Sequence, residues 1–324
     1  MEKSSGQNPS PLGRMGGAST HKIGWLNLPG YKGETWNPVV GCRKVSEGCR
    51  NCYAERMATR LAAMAIAKPL PMSVGKYVKV IKGRQWDGTA YVNDAELSIP
   101  LKWKSPRVVF VCSMGDLFFE EVPFRTIYDV YLTIQKCPQH IFIILTKRPE
   151  RMLEFYTNYA QIHDFIDNIW IGVTAENQET ANERIHYLNN IPAAVKFVSI
   201  EPMLSAIDFE EALGETLKWH AGGLKNCLSW IICGGESGSG ARPMHPDWVR
   251  SLRDQCQKAR VPFFFKQWGE WMPTIYGGQG TSEFNWCEKG ESFQWMCRVG
   301  RKESGNLLDG VKYEEYPSLE TRNS

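Results

Sequence analysis

The feature that most constrains this chain is a rhythm. Short apolar or β-branched runs stand at Val108–Cys112, Ile141–Leu145, Trp170–Val173, Phe197–Ile200, Trp230–Cys233 and Pro262–Phe265, with starts 33, 29, 27, 33 and 32 residues apart. Between them lie stretches of helical period: Phe124, Ile127, Tyr131 and Ile134; Ala181, Ile185 and Leu188; Trp248 or Val249, Leu252, Cys256 and Ala259. Pro246 opens the last at a first-turn position, where its missing N–H is no loss. Near-continuous apolar strands alternating with amphipathic helices predict parallel strands buried on both faces, in a right-handed β/α array. A barrel or a doubly wound sheet satisfies this.

The preceding segment fits the same scheme, with Trp36–Gly41 as a first strand and Tyr53, Met57, Leu61 and Met64 as the apolar stripe of the next helix, for about seven strands in all. Residues 68–106 interrupt the rhythm as a basic, turn-rich insertion carrying Lys76, Lys79, Lys82, Arg84, Trp86, Lys102, Trp103 and Lys104. Residues 1–20, rich in Ser, Gly and Pro, read as a flexible tail, 21–268 as the β/α unit, and 269–324 as a C-terminal extension packed on it.

With 324 residues, 43% hydrophobic and 23% charged, the chain has the material for a large packed core. Its N-terminus has neither a secretory apolar run nor a membrane span, so a cytoplasmic protein is expected. In that reducing compartment ten cysteines are not a disulfide framework. A formal charge of +3 is too small to argue for nucleic acid alone and does not exclude it.

In a parallel β/α array the chemistry sits at the carboxyl ends of the strands. There the sequence places Cys42 and its loop; Ser113, Met114, Gly115 and Asp116; Thr146, Lys147 and Arg148; Thr174 and Glu176; Glu201; Gly234, Gly235 and Glu236; and Lys266. The sharpest signal is Cys42-x₆-Cys49-x₂-Cys52, on a loop that Pro38, Gly41 and Gly48 let turn tightly. Three thiolates are one short of a closed zinc site, whereas on a [4Fe–4S] cubane they leave one iron open to S-adenosylmethionine. Zinc with a distant fourth ligand such as Cys112 or a His, and plain packing cysteines, are the alternatives. Cys137, Cys227, Cys256, Cys287 and Cys297 read as packing residues, with a second metal site at Cys287 and Cys297 held open.

The stretches TWNPVVGCRKVSEGCRNCYAERM, VCSMGDLFFEEVP, ILTKRPERM, IGVTAENQ, SIEPML, GGESGSGARPMHPDW and FFFKQWGEW, with LLDG near the C-terminus, resemble the phage-encoded three-Cys-motif family. That family, formerly a domain of unknown function, belongs to the radical S-adenosylmethionine superfamily and is related to spore photoproduct lyase. The resemblance implies a partial (β/α)6-7 TIM-like barrel and a [4Fe–4S] cluster on Cys42, Cys49 and Cys52. It also implies reductive cleavage of S-adenosylmethionine to a 5′-deoxyadenosyl radical, an electron donor such as a flavodoxin or ferredoxin, and, if phage-encoded, the host cytoplasm. The first cysteine spacing and the placement of Tyr53 after the last cysteine depart from the commonest radical pattern.

By analogy with such enzymes, Asp116 in the Ser113–Asp116 loop is expected to hold the methionine amino group. Thr174 and Glu176 suit ribose hydroxyls, Gly234-Gly235-Glu236 lets backbone approach the cofactor, Glu201 stands where it contacts cofactor or substrate, and of the cations Lys147, Arg148 and Lys266 at least one neutralises the cofactor carboxylate, leaving another for a substrate carboxylate or phosphate. The leading expectation is isomerase- or lyase-type modification of a modified pyrimidine base in DNA, flipped into the barrel mouth. Radical modification of a tRNA base or a peptide, and a non-enzymatic zinc-stabilised nucleic-acid-binding protein, are the competing ones.

Overall fold

A computed structural model describes residues 23–68, 70–158, 167–214, 224–274, 283–286 and 293–319. The predicted rhythm becomes seven parallel strands: β1 (Lys32–Trp36), β2 (Arg107–Val111), β3 (Ile141–Thr146), β4 (Ile169–Thr174), β5 (Val195–Ile200), β6 (Trp230–Gly234) and β7 (Phe263–Gln267). They pair in chain order from β1 to β7, so each crossover advances by one strand. Helices α1 (Tyr53–Ala67), α2 (Phe124–Gln135), α3 (Pro149–Asn158), α4 (Gln178–Asn189), α5 (Phe209–Leu213) and α6 (Pro246–Ala259) return the chain. Strands β1 and β7 do not pair with each other among the described residues. The sheet is therefore a partial barrel rather than a doubly wound sheet, and the turn Gly24–Leu26 touches β1, β2 and β7 at its base.

Two apolar clusters follow from strand alternation. Val109, Phe142, Ile144, Val198, Ile231 and Phe265 face outward against the helices, while Val108, Phe110, Ile143, Trp170, Phe197, Ile232 and Phe264 face inward around Trp25 and Trp230. Trp230 is the hub of the base: its ring lies 5.8 Å from Trp170, 5.8 Å from Phe197, 6.2 Å from Phe264 and 6.3 Å from Trp25. A Cβ on Gly172 would stand 2.4 Å from the Phe197 ring, so only glycine there lets that ring fill the barrel centre.

Three expectations are corrected. The first barrel strand ends at Trp36, and Val39–Val40 pairs instead with Tyr91–Val92 in a small antiparallel ladder. Of the stripe expected on α1, Tyr53, Met57 and Met64 are exposed, and the buried face is Ala54, Ala58 and Ala62 because small residues let the helix approach its neighbours closely. Not all of the basic insertion is basic surface: Lys76 is buried, donating to Glu96 at 2.6 Å and to the Asn37 carbonyl at 2.7 Å. Beyond β7, Trp271–Thr274, Gln294–Arg298 and Glu283–Trp286 form a three-stranded antiparallel sheet, and Met296 and Leu308 join the outer core. The Cys287 half of the second metal site and residues 1–20 lie outside the described residues, in which Cys297 is buried. Among the described residues no helix is long and apolar enough to cross a membrane.

The base makes a stability prediction. Trp25 is 2% exposed and packs edge-on to Phe110 at 5.0 Å, yet its indole N–H has no partner among the described residues. Trp25→Ala should cost about 3–5 kcal/mol in urea unfolding. Trp25→Phe, which keeps the ring and removes an unpaired buried donor, should cost less than half as much.

Candidate active site

The inward alternation that builds the apolar base changes character at the top. Continuing it upward gives Lys147 beyond β3, Thr174 on β4 with Glu176 beyond it, Ser199 on β5 with Glu201 beyond it, Gly234 on β6 with Glu236 beyond it, and Lys266 on β7. The mouth is thus polar above an aromatic floor, and the segment from Gly41 to Cys52 lies across it. That segment starts from a bridge between Gly41 and Gly115, while the Asn37 side chain accepts from the Ser113 hydroxyl at 3.1 Å and the Met114 N–H at 2.9 Å.

Three acid–arginine pairs hold the cysteine loop. Arg148 donates to Cys42 Sγ at 3.6 Å, to the Arg43 carbonyl at 2.9 Å, to Asp116 at 3.2 Å and to Glu120 at 2.8 Å. Asp116 also accepts from the Thr146 hydroxyl at 2.7 Å and the Lys147 N–H at 3.1 Å, so its carboxylate is saturated. Glu176, 1% exposed, accepts from Ser46 at 2.6 Å and Arg184 at 3.1 Å, with Lys147 Nζ at 3.7 Å. A Cβ on Gly48 would meet the Glu176 carboxylate at 2.4 Å, which explains a glycine inside the loop. Glu236 accepts from Asn51 at 3.0 Å and from two nitrogens of Arg242 at 2.9 and 2.7 Å, and Arg242 donates onward to the Glu47 carbonyl at 2.9 Å. Arg56 adds bonds from α1 to the Ser237 and Ser239 carbonyls.

Of the nine cysteines among the described residues, Cys42, Cys49 and Cys52 are the three that are not buried. Burial pushes the Cys42 thiol up to about 12, Asp116 adding to the shift and Arg148 opposing it. Burial also raises Cys52, with Lys147 opposing. Ser46 Oγ lies 3.8 Å from Cys49 Sγ. Among the described residues no three His, Cys, Asp or Glu groups stand close enough to grip a metal ion as they are. The sulfurs share one loop, with the Arg148 guanidinium beside Cys42 and the Lys147 ammonium acting on Cys52.

The structure therefore gathers the predicted rim residues but divides their work. Asp116, Thr146, Arg148, Glu176 and Glu236 are engaged with the loop or with one another, whereas Gly115 and Gly235 act through backbone, the latter donating to the Gln267 carbonyl at 2.9 Å. Glu201 and Lys266 stand apart from the loop, paired with each other at 2.6 Å and partly open to solvent, with the Ser199 hydroxyl donating to Glu201 at 3.0 Å. Half-exposed Tyr53 bonds the Ser113 carbonyl at 2.7 Å across the same mouth. Sequence reasoning missed Asn37, Ser46, Asn51, Arg184 and Arg242. Ser46 and Asn51 lie within the cysteine loop, so their position was a usable signal, but Arg184 sits mid-helix and only the fold brings it under Glu176.

The Glu236–Arg242 clamp makes a pH prediction. Burial works against the charged carboxylate, but the bonds from Arg242 and Asn51 outweigh it and hold Glu236 below its ordinary 4.5. A depressed folded value gives stability above pH 4.5 that is lost as pH falls through the folded value. Glu236→Gln should therefore cost about 1–3 kcal/mol near neutrality, and the gap to the parent should close on acidification, read by denaturant melts across pH.

In its overall path the chain is similar to spore photoproduct lyase. A double mutant of that enzyme with bound AdoMet and dinucleoside spore photoproduct matches with a TM-score of 0.36 and 9% identity, over 82% of this chain and 68% of that one. A single-site mutant gives 0.37 and 11%, over 83% and 68%. No curated protein matches it in sequence. Residues 22–317 match the family described as a protein of unknown function (DUF5131), and the chain belongs to that family.

Proposed function

We propose that this chain is a radical S-adenosylmethionine enzyme acting on a pyrimidine base in DNA. The carrying observation is that its only unburied cysteines among the described residues, Cys42, Cys49 and Cys52, lie on one loop clamped over the polar mouth of a partial β/α barrel. Three soft thiolate donors fit a [4Fe–4S] cluster with one open iron. The cations at Cys42 and Cys52 offset the negative charge such ligands carry. The chemistry that cluster supplies when bound is the one-electron reductive cleavage of S-adenosylmethionine.

The chain's own groups then divide between holding and receiving. Arg148, with Asp116, Thr146 and Glu120 behind it, fixes Cys42 and the start of the loop. Glu176 and Glu236 fix its middle and end. Ser113, Met114 and Gly115 carry its base, and Thr174 and Gly234, at the ends of their strands, belong to the inward wall that would receive the cofactor. Glu201, Lys266 and Lys147 face the mouth with charge to offer, so they orient cofactor and substrate, with Glu201 presenting its carboxylate there. A DNA base reaches such a mouth only by leaving its stack.

The test is anaerobic incubation with dithionite and S-adenosylmethionine, reading 5′-deoxyadenosine by chromatography. Its yield should rise with DNA bearing modified pyrimidines, vanish in Cys42→Ala, Cys49→Ala and Cys52→Ala, and persist in Cys112→Ala. Glu201→Gln should lower substrate turnover by roughly 10²-fold or more while leaving iron content unchanged. Stimulation by a peptide, with none from DNA in any modification state, would overturn the substrate assignment.

A further inference from the structure

The positive charge of this chain is concentrated in one place. Residues 42–86 hold ten of its 38 Lys and Arg and two of its 35 Asp and Glu, leaving 28 against 33 elsewhere, so the rest of the chain is acidic. This segment is a small unit with its own core. Helix α1, the turn Lys76–Lys79 and a hairpin of Ile81–Lys82 with Gln85–Trp86 pack around Val40, Ala54, Ala58, Ala62, Tyr77 and Val80. Two of its cations are spent internally: Lys76 on Glu96 and Arg56 on the Ser237 and Ser239 carbonyls.

The others are outside. Arg43, Lys44, Arg50, Arg60, Lys68, Lys79, Lys82 and Arg84 are all exposed. Lys44 pairs with Glu55 at 2.8 Å, but Arg50, Arg60, Lys68, Lys82 and Arg84 have no ion-pair partner among the described residues. The hairpin turns through Gly83 (φ 58) and Arg84 (φ 70), both left-handed, as the tightest hairpins require. That places Lys82 and Arg84 at its tip, tied to α1 by the Thr59 hydroxyl donating to the Arg84 carbonyl at 3.1 Å. Between hairpin and cysteine loop runs an open groove of about 270 Å³ lined by Arg43, Lys44, Gln85 and Trp86 together with the Glu55 and Asp87 carboxylates. On the exposed side of α1, Tyr53, Met57 and Met64 alternate with Arg60, and the stripe begins at the barrel mouth, where Tyr53 bonds the Ser113 carbonyl.

We infer that this face is the docking surface for the backbone of the DNA that delivers the base, an inference that rests on the DNA substrate proposed above. Uncompensated like charges on one small unit repel each other and oppose its compactness unless a polyanion covers them. A run of phosphates does so, releasing counterions as it binds. Spaced cations along one exposed helix and hairpin suit the phosphates of a duplex backbone. A strand held along α1 ends at the mouth that its target must enter.

The experiment is fluorescence anisotropy of a labelled DNA duplex against the full-length protein at several salt concentrations. The variant Arg60→Glu/Lys68→Glu/Lys82→Glu/Arg84→Glu should lose at least tenfold in affinity at about 0.1 M salt. Its log–log salt slope should flatten by about 3–4, at ~0.9 per phosphate contact. Lys136→Glu/Lys258→Glu/Arg301→Glu/Lys302→Glu makes the same change in net charge elsewhere and should bind as the parent does. Because the altered residues are exposed, unchanged thermal melts are expected, and the milder Lys82→Gln/Arg84→Gln should show a smaller loss of the same kind. Equal binding by the two quadruple variants overturns the inference. So does tenfold tighter binding of a matched RNA, or a variant that keeps its DNA affinity but is no longer reduced by an acidic flavodoxin. Binding is read whatever metal the protein holds, so a chain without iron that still loses DNA in this variant refutes the radical reading and leaves this surface standing.

Discussion

The placement of the cysteine loop depends on three carboxylate–arginine pairs, Asp116–Arg148, Glu176–Arg184 and Glu236–Arg242, each rooted at the end of a different barrel strand and each touching a different part of that loop. Desolvating such pairs is costly, and they are poor sources of net stability. What they supply is definition. Once one member is buried, the other has little freedom to leave, and the loop atoms that complete each pair's hydrogen bonds are fixed with it. Arg148 reaches Cys42 and the Arg43 carbonyl, Glu176 reaches Ser46 and Asn51 meets Glu236, so the loop is held at its start, middle and end.

The barrel below explains why the charges collect there. Seven parallel strands leave an interior too narrow for anything but side chains, filled by Trp25, Trp170, Phe197 and Trp230, with Gly172 making room for the Phe197 ring. One layer higher the inward residues turn small or polar, and the space is left to Ser199, Glu201, Gly234 and Lys266. An aromatic floor beneath a charged rim strengthens electrostatic interactions at the boundary, where water is partly excluded. The Glu201–Lys266 pair lies at that boundary without being tied to the loop, which sets it apart from the three clamps.

The strands were legible in the sequence because parallel strands buried on both faces must be continuously apolar, and their register of about thirty residues is imposed by the helix between them. The rim was legible for the same reason: polar residues just beyond an apolar run have few other places to be. Partnerships were not. Asp116 reads in the sequence as a holder of the methionine amino group, and only the fold shows it engaged by Arg148, Thr146 and backbone. The α1 stripe misled because Met and Tyr at helical spacing suggest a core, whereas the helix buries its alanines to approach the Lys76–Lys79 turn closely. Arg184, buried beneath Glu176 from the middle of α4, carries no local signal.

The central claim is that Cys42, Cys49 and Cys52 ligate an iron–sulfur cluster, and metal analysis with the visible spectrum of anaerobically purified full-length protein tests it most directly. A brown protein is predicted, with about four iron per chain and a broad absorbance that bleaches on reduction. A colourless protein holding about one zinc per chain would contradict the account.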